Sequence, residues 1–195
     1  MNKLLLNLRL TDKSCRGVTL IELMVTVALA AIVTGLAVPS FERTIRSNRL
    51  TGYANEWVAS LNFARSEAVK RGVPVSIRRK SDTAGEWEEG WNIFVDWDGD
   101  GVLDGGKDET VCNEAAEDCL LKTYDSLSAG YTLRSSGDND YKDYATYLAG
   151  GLAKHQVAAT FRLCDNTQNT QASRTIVLNA VGRPTTAVNN AASCP

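Results

Sequence analysis

The sequence predicts an α+β protein: a long N-terminal helix, apolar in its first half and amphipathic in its second, packed on an antiparallel β-sheet domain. Three observations carry this reading. Leu20 to Val38 is almost uninterrupted apolar sequence, and the chain beyond it is polar and acidic. From Leu50 to Ala68 the apolar residues recur in steps of three and four, the period of a helix face. After Gly72 the period becomes two, and turn residues punctuate the runs, as in strands. A chain of 195 residues has room for one globular domain and an appendage, which argues against a second independent domain. The expected organisation is a leader over 1–17, a membrane-spanning half of the helix over 18–41, an amphipathic half over 42–72 and a β-rich domain over 73–195.

Residues 1–17 are basic, with Lys3, Arg9, Lys13 and Arg16 against Asp12, and they end in Lys13-Ser14-Cys15-Arg16-Gly17. In an ordinary secretory signal the apolar stretch precedes the cleavage site and is lost with it. Here the small residue that marks a cut, Gly17, comes before the apolar stretch. Leu23 to Val38 would extend about 24 Å as a helix, slightly short of a hydrocarbon core of about 30 Å, so flanking residues complete the span. Gly35 and Pro39 fall near its end, where a helix bends or loosens. Glu22 sits at the start. A carboxylate in a bilayer costs about 2.5–3.5 kcal/mol at the centre and less near the interface, and such a residue usually has a partner. Thr19-Leu20-Ile21-Glu22 also has the spacing of a capping box, in which Glu22 bonds back to the helix start.

In the second half Leu50, Tyr53, Ala54, Trp57, Leu61, Ala64 and Ala68 form one face, while Arg49, Asn55, Glu56, Arg65, Glu67 and Lys70 fall largely elsewhere. That face is expected in a core. Gly72 is a suitable residue to end the helix, with Lys70 and Arg71 favourably placed against its dipole and Pro74 just beyond. Strands are expected around Val73–Ile77 and Trp91–Trp97, then at Leu120–Tyr124, Tyr131–Arg134, Ala158–Cys164 and Arg174–Val181. They would form one antiparallel sheet, or two small ones, on the helix.

Removing residues 1–17 takes four of the 21 basic residues and one of the 23 acidic ones, which leaves a net charge of −5. That balance argues against a general polyanion-binding surface. Cys15 lies in the leader segment, and Cys112, Cys119, Cys164 and Cys194 remain. Four cysteines allow three pairings; the favoured one joins Cys112 to Cys119 and Cys164 to Cys194. No CxxC spacing occurs, so disulfides in an exported domain are preferred to zinc.

Asp96-Trp97-Asp98-Gly99-Asp100-Gly101 places carboxylates at positions one, three and five of an EF-hand-like loop and Gly at six, a spacing that can wrap calcium. Position nine is Asp104, but position twelve is Lys107, with Asp108 and Glu109 displaced. The preferred reading is an Asp-Gly hairpin turn, and no metal or cofactor is assigned. His155 is the sole histidine and nothing around it resembles a nucleophile elbow, so no catalytic residue is assigned. Arg78-Arg79-Lys80 reads as a solvated strand end.

Arg16-Gly17-Val18-Thr19-Leu20-Ile21-Glu22-Leu23, with Pro39 beyond, closely resembles the prepilin signature of type IV pilins and type II secretion pseudopilins. The resemblance implies a pilin-like fold and cleavage by prepilin peptidase between Gly17 and Val18. It also implies N-methylation of Val18 and a filament-assembly role for Glu22, whose partner would be the Val18 amine of a neighbouring subunit. The family usually has Phe after the glycine; this chain has Val18. Ala64 to Gly72, Gly90 to Asp96, Phe161 to Cys164, Arg174 to Leu178 and Gly182-Arg183-Pro184 resemble the GspH/FimT group of minor pilins and pseudopilins. That group implies a non-enzymatic subunit at or near the tip of a type IV pilus, helping to initiate its assembly. The alternative is a pseudopilin of the type II secretion system. Either would be a single-pass inner-membrane protein with a periplasmic domain before it joins other pilins in a filament. A second alternative is DNA capture through basic residues including a Gly-Arg-x-Arg motif. Gly182-Arg183-Pro184-Thr185 lacks the second arginine, and although Arg162, Arg174 and Arg183 could still cluster, nucleic acid is not the favoured partner.

Overall fold

The computed structural model describes residues 17–104, 118–136, 140–167, 169–188 and 194. Helix α1 runs over Leu20–Arg71. Thr19 caps it: the Leu23 N–H donates to the Thr19 carbonyl at 3.1 Å and the Glu22 N–H to Thr19 Oγ1 at 3.3 Å, satisfying donors that the first turn leaves over. The helix is continuous through Gly35 and Pro39, where loosening was expected. It ends where the sequence indicates. Gly72 takes φ +71° and donates to the Ala68 carbonyl at 2.9 Å, and a left-handed residue there suits glycine. Glu67 binds Lys70 at 3.3 Å and Arg71 at 2.7 Å; the bond from Arg71 is the main cause holding its carboxyl below the ordinary range.

Among the described residues eight strands follow: β1 (Val75–Arg79), β2 (Trp91–Val95), β3 (Cys119–Tyr124), β4 (Thr132–Ser136), β5 (Tyr144–Tyr147), β6 (Ala159–Cys164), β7 (Arg174–Leu178) and β8 (Pro184–Val188). They form two four-stranded sheets, ordered β3-β2-β1-β5 and β4-β6-β7-β8, with antiparallel pairing throughout. Strands β5 and β8 were not expected. Tyr144-Ala145-Thr146-Tyr147 is too short to display a period, and β8 opens on Pro184 and continues through exposed threonines. Pro is tolerated as the first residue of an edge strand.

The chain divides into two compact units, Met1–Arg43 and Thr44–Pro195. In the second, Leu50, Ala54, Trp57, Leu61, Ala64 and Ala68 of α1 are buried in the core, and Tyr53 packs against it half-buried. Trp57 is the centre. Its ring meets Trp91 of β2 at 4.9 Å, Phe161 of β6 at 4.9 Å and Trp87 at 4.8 Å between centroids. One helical side chain thus touches both sheets. Ser60, one turn on, is fully buried and accepts the Trp91 indole N–H at 3.0 Å. The segment before β2 joins the sheets again: the Trp87 N–H donates to the Leu133 carbonyl and the Ser135 N–H to the Gly85 carbonyl. Tyr147 closes the far side by donating its hydroxyl to the Gly182 carbonyl at 2.8 Å, and burial pushes its phenol well above the ordinary value.

The in-and-out alternation expected for β1 is corrected by the structure. Val75, Ser76 and Ile77 are all buried, as are Ile93, Phe94 and Val95 of β2, because both faces of this sheet are covered. Nor is the Arg78-Arg79-Lys80 run simply solvated. Arg78 donates to the Gly101 carbonyl at 2.6 Å, Arg79 binds Asp143, and Lys80 donates to the Tyr124 carbonyl at 2.7 Å.

Cys164 and Cys194 form a disulfide across a sequence separation of 30 residues. Cys119 is also disulfide-bonded; Cys112, its expected partner, lies outside the described residues. Trp57→Ala should cost about 3–5 kcal/mol, as expected for truncating a buried aromatic, read by urea unfolding of the full chain in detergent. Cys194→Ser should cost about 3–4 kcal/mol in the same assay, the loop-closure entropy for about 30 residues.

Candidate functional site

The N-terminal half of α1 is exposed and has no covering among the described residues. Leu20, Ile21, Leu23, Met24, Val27, Leu29, Ile32, Val33 and Leu36 are all exposed. The helix is long and apolar enough to cross a membrane, and none of its apolar stretch is buried. Between Leu20 and Val38 the polar side chains are Glu22, Thr26 and Thr34. The threonines look inward to their own helix: Thr26 donates to the Leu23 carbonyl at 2.9 Å and Thr34 to the Ala30 carbonyl at 2.7 Å. Such local bonds suit a hydroxyl that must enter an apolar medium. Glu22 differs. Its main-chain N–H completes half of a capping box with Thr19, but its carboxylate makes no hydrogen bond or ion pair among the described residues. Gly17 and Val18 precede the helix without regular structure, and the rest of the expected leader, residues 1–16, lies outside the described residues.

A second polar cluster follows β2. Asp96 is fully buried; its Oδ2 accepts from Ser76 Oγ and from the Gly101 N–H at 3.1 Å. Burial pushes its carboxyl up, against those hydrogen bonds, and Asp118 adds to the rise. Asp98 and Asp100 stand exposed beside it, and one carboxylate oxygen of each of the three lies within 4.8 Å of the others. Asp118, just before β3, holds the loop from the other side. Its Oδ1 accepts the Trp97 N–H and its Oδ2 the Asp104 N–H, both at 3.0 Å. Burial raises Asp118 as well, with Asp98 and Asp104 adding to the rise. The spacing of the first three aspartates is visible in the sequence. Asp118 is not, because chain folding alone brings it to them. Lys107, the residue at position twelve, lies outside the described residues.

The three arginines that could have formed a basic patch do not come together as one. Arg174 shares the inward face of β7 with Ile176 and Leu178 and is buried. Its guanidinium donates to the Ala172 carbonyl at 2.7 Å, to Ser47 Oγ at 2.9 Å and to Thr51 Oγ1 at 3.1 Å, so it fastens α1 to the sheet. Arg162 lies opposite Arg134 on β4, beside a shallow cleft of about 270 Å³. Arg134 is itself paired with Glu86 and Glu88. Arg183 is exposed, in the turn before β8.

Residues 53–182 match the profile of the family described as type II transport protein GspH. The chain belongs to that family. Residues 12–38 match the prokaryotic N-terminal methylation motif, which spans Gly17, Val18 and Glu22. Among solved structures the chain resembles the type IV minor pilin FimU of Pseudomonas aeruginosa strain PAO1 in two crystal forms. One has 25% identity and a TM-score of 0.57, covering 76% of this chain and 96% of that one. The other has 26% identity and a TM-score of 0.54, covering 75% and 100%. The minor pseudopilin EpsH from the type 2 secretion system of Vibrio cholerae matches at 12% identity and a TM-score of 0.47, over 73% and 99% of the two chains. No curated protein sequence matches significantly. Family, motif and fold together make this GspH-family chain a minor pilin or pseudopilin.

Within the family domain Arg174 therefore acts in packing, and Arg183 at the surface. Arg174→Ala should lower stability by about 2–3 kcal/mol, the loss expected when charge-assisted bonds are removed from buried acceptors, whereas Arg183→Ala should stay within about 0.5 kcal/mol of the parent. Parallel thermal melts check this.

Proposed function

We propose that this chain is made as a precursor, cut between Gly17 and Val18 by prepilin peptidase and N-methylated on Val18. It is then held in the inner membrane by the apolar half of α1, with its domain in the periplasm, until it enters a filament. The family and motif matches support this reading, and the fold similarity to FimU agrees with it. The observation that carries it is the exposed apolar helix, in which the Glu22 carboxylate has no partner among the described residues. In a bundle of such helices, burying that group uncompensated would be costly. The Val18 amine of a neighbouring subunit supplies a cation at a matching height, and the pair sets the register between subunits. The Cys164–Cys194 disulfide supports an oxidising compartment for the domain.

The filament we assign is a type IV pilus, with the chain at or near its tip as a minor subunit that helps to initiate assembly. This choice rests on the FimU similarity, which extends over 96% of that chain. The second reading is a type II secretion pseudopilus, favoured by the family's own description. Deleting the gene separates them: loss of surface pili with secretion intact supports the first, and loss of exoprotein secretion with pili intact supports the second.

Gly17→Ala should leave the precursor uncut, seen as an unshortened band by immunoblot; normal processing would overturn the cleavage assignment. Glu22→Ala should leave processing intact and reduce filaments at least about tenfold, since about 1.4 kcal/mol of lost pairing already gives that factor. Parental filament numbers by electron microscopy would remove the role given to Glu22.

A further inference from the structure

The loop after β2 gathers negative charge that nothing among the described residues neutralises. Asp96, Asp98 and Asp100 bring carboxylate oxygens within 4.8 Å of one another. Asp104 and Asp118 are close enough for mutual repulsion to be felt at Asp118. No ion pair reaches any of these five among the described residues. The two cations that do reach the loop bind main chain instead: Arg78 donates to the Gly101 carbonyl and Lys154 to the Gly99 carbonyl.

Asp96 decides what the cluster is for. It is completely buried, and only one of its two oxygens is used. Oδ2 takes the bonds from Ser76 and Gly101, and the Gly99 amide also favours the ionised carboxyl, while the buried Oδ1 has no partner at hydrogen-bond distance among the described residues. A surface hairpin does not require an interior carboxylate with an idle oxygen, because an unpaired buried acceptor is costly. The exposed pair beside it is arranged similarly. Asp98 Oδ1 accepts the Asp100 N–H at 3.1 Å and Asp100 Oδ1 accepts the Val102 N–H at 2.6 Å, so the second oxygen of each is left to face a ligand.

We infer that this loop is a calcium site in which Asp96, Asp98 and Asp100 each supply a carboxylate oxygen. The donors are all oxygen, without His or Cys, which selects a hard cation. Calcium accepts six to eight oxygens in flexible geometry, whereas magnesium demands a near-ideal octahedron and gives up its waters reluctantly. Water completes the shell on the open side, where Asp98 and Asp100 are exposed. Asp118 is a positioning residue: both its oxygens hold main-chain amides, at Trp97 and Asp104. Gly99 and Gly101 adopt φ +74° and +76°, and at Gly101 a Cβ would strike the Tyr144 ring. Three carboxylates on an open loop place the affinity on the order of 10⁻⁴–10⁻³ M, the range of extracellular calcium modules.

Trp97 lies inside the loop and is partly exposed, so it can sensitise terbium luminescence. The full chain in detergent micelles, titrated with terbium and excited at tryptophan, should give saturable emission that calcium displaces at least about tenfold better than magnesium. Asp98→Ala/Asp100→Ala should weaken terbium binding at least about tenfold, and Asp82→Ala, an exposed carboxylate elsewhere, should leave it unchanged. Calcium should raise the melting temperature of the parent and not of the double variant. Should the double variant fold poorly, Asp100→Lys tests the same site by placing an ammonium in it, and it should abolish the emission. Emission equal in parent and variants, calcium that fails to displace terbium, or magnesium that displaces it equally well would each overturn the assignment.

Discussion

The fold turns on one buried indole. Trp57 sits on α1 where β2 of one sheet, β6 of the other and the segment leading into β2 all come within ring contact. Two four-stranded sheets share no strand, so their relation depends on what they jointly touch. Trp57 provides that common surface, and Ser60 fixes the rotation of the helix by accepting the Trp91 N–H. Arg174 pins the same helix a few turns earlier through Ser47 and Thr51. With three points set along one face, the stripe from Leu50 to Ala68 is committed to the core. The apolar residues before Arg43 have no part in it.

Legibility in the sequence follows from the range of the interactions. The helix face could be read because its partners lie three and four residues apart, and six strands could be read because apolar residues recur within a few positions. Ser60 and Arg174 could not be read as core residues. Each is polar, and each is tolerated inside only because a partner 31 or 123 residues away completes its hydrogen bonding. The same holds for Arg78, Arg79 and Lys80, whose charges look like a solvated strand end until the carbonyls and carboxylate that receive them are assembled. Strands β5 and β8 escaped for the opposite reason: they are short, and their places are set by pairing with β1 and β7, not by a pattern of their own.

The functional features divide in the same way. Gly17, Val18 and Glu22 are contiguous with the helix start, so a linear motif contains them in full. The acidic loop shows its spacing but conceals the facts that matter, namely that Asp96 is interior and that Asp118 closes the loop from β3. Spacing alone supports a hairpin turn equally well. Burial separates the two readings, since a turn aspartate gains nothing by giving up water.

Glu22 and Asp96 therefore pose one physical problem with two solutions. Each is a carboxylate with at least one oxygen unmatched among the described residues. Asp96 is out of reach of water, and Glu22 starts an apolar helix, so a lone charge is costly at the first and would be at the second once that helix is covered. Their surroundings determine what can answer them. Glu22 is exposed on the helix surface among the described residues, so a partner can arrive attached to another polypeptide, as the proposed pairing with the amine of a neighbouring helix requires. Asp96 is buried and held by Ser76 and Gly101, with the exposed Asp98 and Asp100 beside it. A buried oxygen beside two exposed carboxylates suits a small ion better than a side chain from another molecule. On the roles proposed for them, the same unmet charge leads outward to a neighbouring subunit in one half of the chain and inward to a cation in the other.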